Sequence, residues 1–248
     1  MFAQEERLGL RARFEGNELT RWGNKMEPQG LAAYKHLTGR DVDFADLGVR
    51  LQRACSRCAL LTTRSFVLSQ TQELPPDSPG APPWLGASPD GLVRDGQGVL
   101  EIKCPTGGRA AGGNFRLAAP YPSTPSYYVP QLLGLLAVFD RRYADLFCYT
   151  AQEGCALFRV PASPQAWALM RDMLHDFWTR NLVPAREALA QGAAAGELEQ
   201  WRPRLDVERA REVKQAAERL SKEAETHRFA SPPEEVLQQL LAAEEGAA

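Results

Sequence analysis

The sequence lacks the long apolar runs that place a chain in a membrane. It contains no stretch of 18 or more apolar residues, and its first segment, MFAQEERLGLRARF, has no apolar core of a secretory signal. Cysteine is scarce as well. Five cysteines, an odd number, indicate free thiols in a reducing compartment rather than a disulfide framework. We therefore expect a soluble, intracellular protein with no membrane partner, in the cytoplasm, the nucleus or an organelle.

The sequence also lacks an overall basic charge, since its formal net charge is −2. The charge is unevenly distributed, however. Residues 1–66 hold 11 Lys or Arg against 8 Asp or Glu, whereas residues 196–248 hold 8 against 12. The acidic excess lies mainly in the tail, so the composition still allows a local basic channel for nucleic acid.

The length of 248 residues, with 44% hydrophobic and 24% charged residues, fits one globular domain with appendages. We predict an α/β domain over 1–200, interrupted by a Pro-rich excursion at about 41–84, and a charged helical C-terminal extension over 201–248. The apolar core is expected to close near Phe177. The tail beyond residue 205 is expected to be solvent-facing or to serve oligomerisation.

Local patterns place the main elements of this domain. Asn24 is predicted to cap a helix over 24–38, with Pro28 in its first turn and Gly39 at its end. Two short apolar runs, Gly91 to Arg94 and Val99 to Cys104, predict a hairpin joined by Asp95-Gly96-Gln97-Gly98. Further along the chain the patterns predict a loop over 105–126, a helix over about 127–140, strands over 143–150 and 155–160, a helix opened by Ser163-Pro164, and helices near 184–200, 205–227 and 232–243.

The second strand of the hairpin carries the residues that indicate chemistry. Side chains alternate along a strand, so Glu101 and Lys103 project from one face while Ile102 projects from the other. Pairing Arg94 with Val99 would put Asp90 opposite Lys103, within roughly 5 Å on the same face. Two carboxylates and an ammonium are thus predicted to converge.

Such a group suits the hydrolysis of phosphodiesters. Carboxylate oxygens hold Mg²⁺, and the metal acidifies a bound water and neutralises charge that develops on the phosphate. Lys103 could orient or activate that water. Glu27 lies four residues before Leu31 on the predicted helix, so it is a third candidate acid that would hold a metal-bound water.

Each of these residues also has an ordinary structural explanation. The triplet Glu-x-Lys recurs at Glu212-Val213-Lys214, where a solvated helix face is the simpler interpretation. Asp90 could be a turn residue, Glu101 and Lys103 an exposed strand pair, and Glu27 the partner of Asn24 in a capping box. These explanations do not account for the ordered combination of a helical acid, an Asp before a strand, Glu-Ile-Lys on the next strand and a helical glutamine.

Four motifs carry that combination: RWGNKMEPQGLAAYKHLTG at 21–39, LGASPDGLV at 85–93, VLEIKCP at 99–105 and YVPQLLGLLAVF at 128–139. In these motifs and their order, across roughly residues 17–190, the chain resembles the YqaJ-like viral recombinases. That family includes phage lambda exonuclease and falls within the PD-(D/E)XK nucleases. The resemblance implies a restriction-endonuclease-like core, a central mixed sheet flanked by helices.

The resemblance also implies roles for individual residues. Asp90, Glu101 and the backbone carbonyl of Ile102 would be direct ligands of Mg²⁺, for which Mn²⁺ can substitute, and Glu27 would act through water. Lys103 would activate the attacking water, and Gln131 would position Lys103 or the nucleophile. Tyr128 matches a tyrosine of the same helix, although an aromatic residue at that spacing is more often part of the core.

The partners implied by the resemblance are duplex DNA ends, a single-strand annealing protein and further copies of the chain, because ring-shaped trimers occur in the family. Two family features have no counterpart here. About 20 residues precede the Trp-Gly-x-x-x-Glu helix and lack the Gly-Gly-Ser type segment and arginine that recognise the 5′ phosphate. Leu133 occupies the place of a second glutamine. Processive 5′-end recognition is therefore not implied.

Several weaker signals concern metal or DNA binding. Cys55 and Cys58 have the spacing of a zinc or iron–sulfur ligand pair, but the remaining cysteines supply no second pair. Arg109 and Arg116 lie in the Gly-rich loop after the Glu-Ile-Lys strand and could contact phosphates, or the loop could be a disordered insertion. Arg21 and Trp22 flank the Glu27 helix and could touch DNA backbone and base, although Trp22 could equally be a packing residue.

These observations predict a metal-dependent deoxyribonuclease, an exonuclease that leaves 5′ phosphates in recombination or repair. Two alternatives remain open. One is a non-catalytic DNA-binding relative that serves recombination, and the other is a structure-specific endonuclease with the same metal site, since surrounding loops select the substrate end.

Overall fold

In the computed structural model, the described residues are Leu8 and the ranges 15–43, 85–109, 115–116, 118–203 and 206–245. The predicted Pro-rich excursion lies largely outside them, at 44–84, and so do Cys55 and Cys58. Within these ranges, no helix is both long and apolar enough to span a bilayer.

Eight strands and six α-helices make up the described fold. The strands are β1 (Val42–Asp43), β2 (Gly91–Val93), β3 (Gly98–Lys103), β4 (Gly108–Arg109), β5 (Phe115–Arg116), β6 (Tyr143–Tyr149), β7 (Cys155–Pro161) and β8 (Glu225–Phe229). The α-helices are α1 (Glu18–Thr38), α2 (Val129–Phe139), α3 (Pro164–Phe177), α4 (Val183–Ala190), α5 (Val207–Glu223) and α6 (Glu234–Glu245). Two 3-10 helices (Ser126–Tyr128, Ala195–Trp201) and a π-helical segment (Trp178–Leu182) complete them.

Six of the strands form one mixed sheet in the order β1-β2-β3-β6-β7-β8. β3 and β6 run parallel, and the other neighbouring pairs run antiparallel. A parallel pair requires a crossover connection, and here α2 lies in it. Because the chain leaves the end of β3 and must return to the start of β6, the first turn of α2 comes to lie near the end of β3.

Helices cover both faces of the sheet and enclose two apolar clusters. One face buries Leu31 and Tyr34 of α1 and Leu237 of α6 against the strands. The opposite face packs α2, α3 and α5, whose buried residues include Leu132, Met170 and Leu220. β3 lies between the two layers, so Val99 enters the second cluster while Leu100 and Ile102 enter the first, as the alternation of side chains requires.

α1 begins earlier than the prediction placed it. Asn17, not Asn24, is the N-cap, and its Oδ1 accepts a hydrogen bond of 3.0 Å from the Thr20 N–H. Pro28 therefore lies inside the helix, where it supplies no N–H for the Asn24 carbonyl. The predicted end is confirmed, because Gly39 adopts φ 66° and donates to the Lys35 carbonyl. A capping box between Asn24 and Glu27 is excluded.

The β2–β3 hairpin has a different register from the predicted one. Gly91 pairs with Leu100, which places Asp90 opposite Glu101 and not opposite Lys103. The turn consists of residues 94–97, because Gly98 already belongs to β3 and Asp95 Oδ1 accepts from its N–H at 3.2 Å. A shift of two residues preserves the face of every side chain, so the predicted convergence of Asp90, Glu101 and Lys103 still occurs.

The core does not close near Phe177. β8 pairs with β7 along the whole length of β8, and α5 contributes Ala216, Ala217 and Leu220 to a core cluster. Residues 206–245, the main described part of the segment that was expected to be solvent-facing or to serve oligomerisation, therefore contribute to the sheet and to both apolar clusters. The strands predicted at 143–150 and 155–160 and the helix capped by Ser163 are confirmed.

Candidate active site

Asp90 and Glu101 are held side by side by the β2–β3 hairpin. The backbone N–H of Asp90 donates to the Leu100 carbonyl at 3.0 Å, and its Oδ2 accepts a hydrogen bond of 2.6 Å from the N–H of Ile102. This second bond fixes the carboxylate against the backbone that follows Glu101. The two acids therefore lie together at the same end of the sheet.

Glu101 is a buried carboxylate whose two oxygens differ in their surroundings. The side chain is only 5% exposed. Oε1 accepts from Lys103 Nζ and, at 2.6 Å, from Gln131 Nε2, while Oε2 is buried and has no hydrogen-bond partner among the residues that the structure describes. Burial and the neighbouring Asp90 raise the pKa of Glu101 to about 7. A buried acceptor of this kind favours a cation beside it.

Lys103 carries the positive charge at this end of β3. Burial acts to lower its pKa, but Glu101 and Asp90 act in the opposite direction, and the net result is a raised pKa. Lys103 is thus an ammonium at neutral pH. Its Nζ also lies 5.1 Å from the centre of the Tyr128 ring, a cation–π distance. The ring limits where the ammonium can move.

These residues line an open cleft of about 470 Å³. Glu27 enters it from α1, on the side of the sheet opposite Gln131. The lining contains the predicted residues Glu27, Asp90, Glu101, Ile102, Lys103 and Tyr128. Gln131 reaches the same place from the first turn of α2 through its hydrogen bond to Glu101. The fold thus gathers residues from four separate stretches of sequence.

The donor set fits a hard divalent cation held partly by water. Within the described ranges, no three side chains of His, Cys, Asp or Glu are gathered closely enough to form a complete site by themselves. Mg²⁺ does not need such a cage, because it keeps several waters and takes one or two carboxylates. Burial raises the pKa of the cleft thiol, Cys104, to about 12, so this thiol is protonated at neutral pH when no metal is bound.

The weaker predictions have mixed outcomes. Trp22 lies in a second pocket next to the cleft, whereas Arg21 is exposed on α1 and lines neither of these pockets. The backbones of Arg109 and Arg116 belong to the β4–β5 hairpin within the predicted loop, but their side chains lie outside the described part of the chain. Their contacts with DNA stay a prediction.

Sequence reasoning missed several cleft residues. Leu19 and Gly23 precede Glu27 at intervals of four, so all three share one face of α1. That periodicity would have been visible if Asn17 had been recognised as the cap. Tyr121 gave no signal, because it lies in a Gly-, Ala- and Pro-rich segment, yet its hydroxyl is 3.3 Å from that of Tyr128.

A comparison with protein-family models supplies the family. The model of the YqaJ-like viral recombinase domain matches residues 1–142, more than half of the 248 residues. The chain belongs to this family. The resemblance to the YqaJ-like family inferred from the four motifs is confirmed. The predicted α/β architecture, a mixed sheet flanked by helices, is also confirmed.

Two solved structures are similar to this YqaJ-like chain. One is an alkaline exonuclease, LHK-Exo, from Laribacter hongkongensis, with a TM-score of 0.48 and 21% sequence identity over 79% of this chain and 82% of that chain. The other is LHK-Exo in complex with dAMP, with a TM-score of 0.48 and 20% identity over the same shares. No curated protein sequence matches significantly.

Proposed function

We propose that this YqaJ-like chain is a Mg²⁺-dependent DNA exonuclease that hydrolyses phosphodiester bonds at duplex ends in recombination or repair. The observation that carries the proposal is the buried Glu101 carboxylate. One of its oxygens is held by Lys103 and Gln131, and the other has no described protein partner, next to Asp90 in an open cleft. If Glu101 and Lys103 were only an exposed ion pair on a strand, Glu101 would not be buried and the pair would not line a cleft.

Asp90, Glu101 and the Ile102 carbonyl are the proposed ligands of the metal, with Glu27 acting through water. Asp90 and Glu101 supply the charge, and the Ile102 N–H bond holds Asp90 in place before any cation arrives. When bound, Mg²⁺ would acidify a water and neutralise charge on the phosphate. Mn²⁺, with similar ligand preferences, would substitute for it.

Lys103 is proposed to act as a hydrogen-bond donor. Because Glu101 and Asp90 raise its pKa, Lys103 is an ammonium at neutral pH in the metal-free site. It can orient the attacking water through the water oxygen and offset negative charge that develops on the phosphate oxygens. Its position between Glu101 and the Tyr128 ring restricts it to the cleft.

Gln131 is proposed as a positioning residue. Its amide binds the same Glu101 oxygen that Lys103 binds, so it fixes the rotation of that carboxylate. Fixing Oε1 also fixes Oε2, which is then available to a cation without a change of rotamer. Residues that orient metal ligands in this way commonly matter almost as much as the ligands themselves.

The test is degradation of a linear duplex that carries a labelled 5′ phosphate, with Mg²⁺ and with EDTA, beside a covalently closed circular duplex. Asp90→Asn, Glu101→Gln and Lys103→Ala should each reduce release of label by about three orders of magnitude, the scale for losing a charged transition-state contact. Linearisation of the circular duplex would contradict the exonuclease proposal and favour the structure-specific endonuclease.

The chain offers a matched control for these variants. Lys214 in the triplet Glu212-Val213-Lys214 is 76% exposed on α5 and pairs only loosely with Glu218, at 3.7 Å. Lys214→Ala should leave the rate of cleavage unchanged. If a folded wild-type protein binds the duplex but releases no label in Mg²⁺, the proposal is wrong, and the non-catalytic alternative takes its place.

A further inference from the structure

A second pocket of about 410 Å³, called here the side pocket, opens beside the cleft. Its lining is mainly apolar and includes Leu19, Trp22 and Met26 of α1, Pro105 and Tyr149. The volume is within the range of about 300–1,000 Å³ that is usual for ligand sites. None of the proposed chemistry uses this pocket.

The side pocket and the cleft are parts of one depression. Both are lined by Leu19, Cys104, Pro105 and Thr106, so these residues form the boundary between them. The cleft is charged on account of Asp90, Glu101 and Lys103, whereas the side pocket has an apolar floor, with Met26 and Tyr149 almost fully buried. With the proposed divalent cation bound in the cleft, a ligand that spans both would have an anionic part next to a flat apolar part.

The exposed apolar side chains favour the same place. Among the residues that the structure describes, four large hydrophobic side chains are markedly exposed: Leu19, Trp22, Tyr127 and Val207. Leu19 and Trp22 line the side pocket, and Tyr127 packs against the cleft residue Tyr128, with ring centroids 4.5 Å apart and ring planes tilted by 53°. Trp22 is 40% exposed, so part of its ring is available to a ligand.

We propose that the side pocket binds a nucleobase of the DNA strand whose phosphate lies in the cleft, with Trp22 as its stacking surface. The proposal rests on the proposed function, which puts a phosphodiester beside Asp90 and Glu101. A nucleotide has the required two parts, a charged phosphate and an aromatic base. Aromatic side chains commonly hold unpaired bases by stacking, largely irrespective of sequence.

The experiment is a thermodynamic cycle between protein and DNA. Affinities are measured by fluorescence anisotropy in the Lys103→Ala background, so that the DNA is not consumed. The probes are 5′-phosphorylated oligonucleotides with an abasic site placed at one position after another. Trp22→Ala should weaken binding of intact DNA by about tenfold. When the abasic site is at the one position that the side pocket binds, Trp22→Ala should not weaken binding of the DNA. Trp22→Phe should retain most of the affinity.

Two further variants make the test specific to the side pocket. Ala151 lines the side pocket but not the cleft, so Ala151→Trp should fill the pocket and weaken binding to a similar degree. Val207→Ala removes a comparably exposed side chain from α5 and should leave the affinity unchanged. Equal weakening by Trp22→Ala on intact and abasic DNA at every position, or none at all, would overturn the proposal.

The two proposals can fail separately. Cleavage by the Lys103-containing protein in Mg²⁺ tests the nuclease, whereas the cycle tests base binding without cleavage. A protein that cuts DNA but shows no coupling between Trp22 and the base has the proposed activity without a base site. In that case a protein partner becomes the occupant to test for the pocket.

Discussion

Gln131 donates a hydrogen bond of 2.6 Å from Nε2 to Oε1 of Glu101, across the space between α2 and β3. The Lys103 ammonium donates to the same oxygen. Two donors of different kinds therefore converge on one carboxylate oxygen. The uncharged amide orients the carboxylate, and the ammonium balances its negative charge.

Removing the amide should lower activity without unfolding the protein. Gln131→Met keeps a similar volume but cannot donate, so the carboxylate is held by Lys103 alone. On the proposed function, in which Gln131 positions a Mg²⁺ ligand, we expect kcat to fall by about 10–100-fold and the apparent affinity for Mg²⁺ to weaken. Cleavage rates across a Mg²⁺ titration measure both. Gln238→Met on α6, which removes an exposed bond to Glu234, should have no effect.

Glu101 should make the metal-free protein more stable at low pH. Its pKa of about 7 in the folded state exceeds the ordinary value of 4.5, so its contribution to stability is complete below pH 4.5 and is lost as the pH rises through 7. Glu101→Gln cannot ionise. Between pH 4.5 and 7, the unfolding free energy of the wild-type protein should therefore fall by roughly 3 kcal/mol relative to that of Glu101→Gln. Urea unfolding in EDTA across this pH range measures it, and a constant difference would contradict the prediction.

A side chain at position 30 should destabilise the protein, because α1 packs directly on β3 at Gly30. A Cβ on Gly30 would lie 2.8 Å from Cγ2 of Ile102, whereas one on Gly23 of the same helix would meet nothing within 4 Å. Gly23→Ala should stabilise the protein by up to about 1 kcal/mol through helix propensity. Gly30→Ala should destabilise it by about 1–2 kcal/mol despite the same gain. Equal denaturation midpoints for the two variants would show that α1 can shift without cost.

Arg159 should be essential to stability as long as Asp145 is present. Asp145 is fully buried, accepts two hydrogen bonds of 2.8 Å from Arg159, and accepts another of 2.6 Å from the Tyr34 hydroxyl. Arg159→Met leaves a buried carboxylate without its cation and should cost about 3–5 kcal/mol. Adding Asp145→Leu should recover much of that loss. Arg171→Met, which breaks an exposed pair with Asp172, should change the unfolding free energy by less than about 1 kcal/mol.

The alternation of side chains made much of the site predictable. Strand geometry alone put Glu101 and Lys103 on one face, and no later contact could change that. The register of the β2–β3 hairpin was harder to predict, because glycine is common in turns and Gly98 was therefore assigned to the turn. In the fold its Cα lies against the Tyr143 ring, which would contact a Cβ at 2.5 Å. Only the packing of a strand 45 positions away decides that Gly98 belongs to β3.

Other features of the fold could not be predicted from the sequence because they also depend on contacts between distant segments. β8 is built from Glu225, Thr226, His227, Arg228 and Phe229, which show no apolar alternation, and it becomes a strand because it completes the edge of β7. The contact between Tyr34 and Asp145 spans 111 positions and leaves no local trace. The role of Gln131 came from the family resemblance, since helical spacing alone would mark only its apolar neighbours as significant.

The packing of α6 against α1 has a consequence for how the protein is made. Leu237 of α6 shares an apolar cluster with Met26 and Leu31, on the helix that carries Glu27. The ribosome synthesises α1 before, and α6 after, every other helix and strand described here. A nascent chain that has already produced β7 therefore still exposes part of the apolar face of α1. We therefore expect a chain that ends before α6 to keep this apolar face uncovered, which would make it a target for chaperones and proteases.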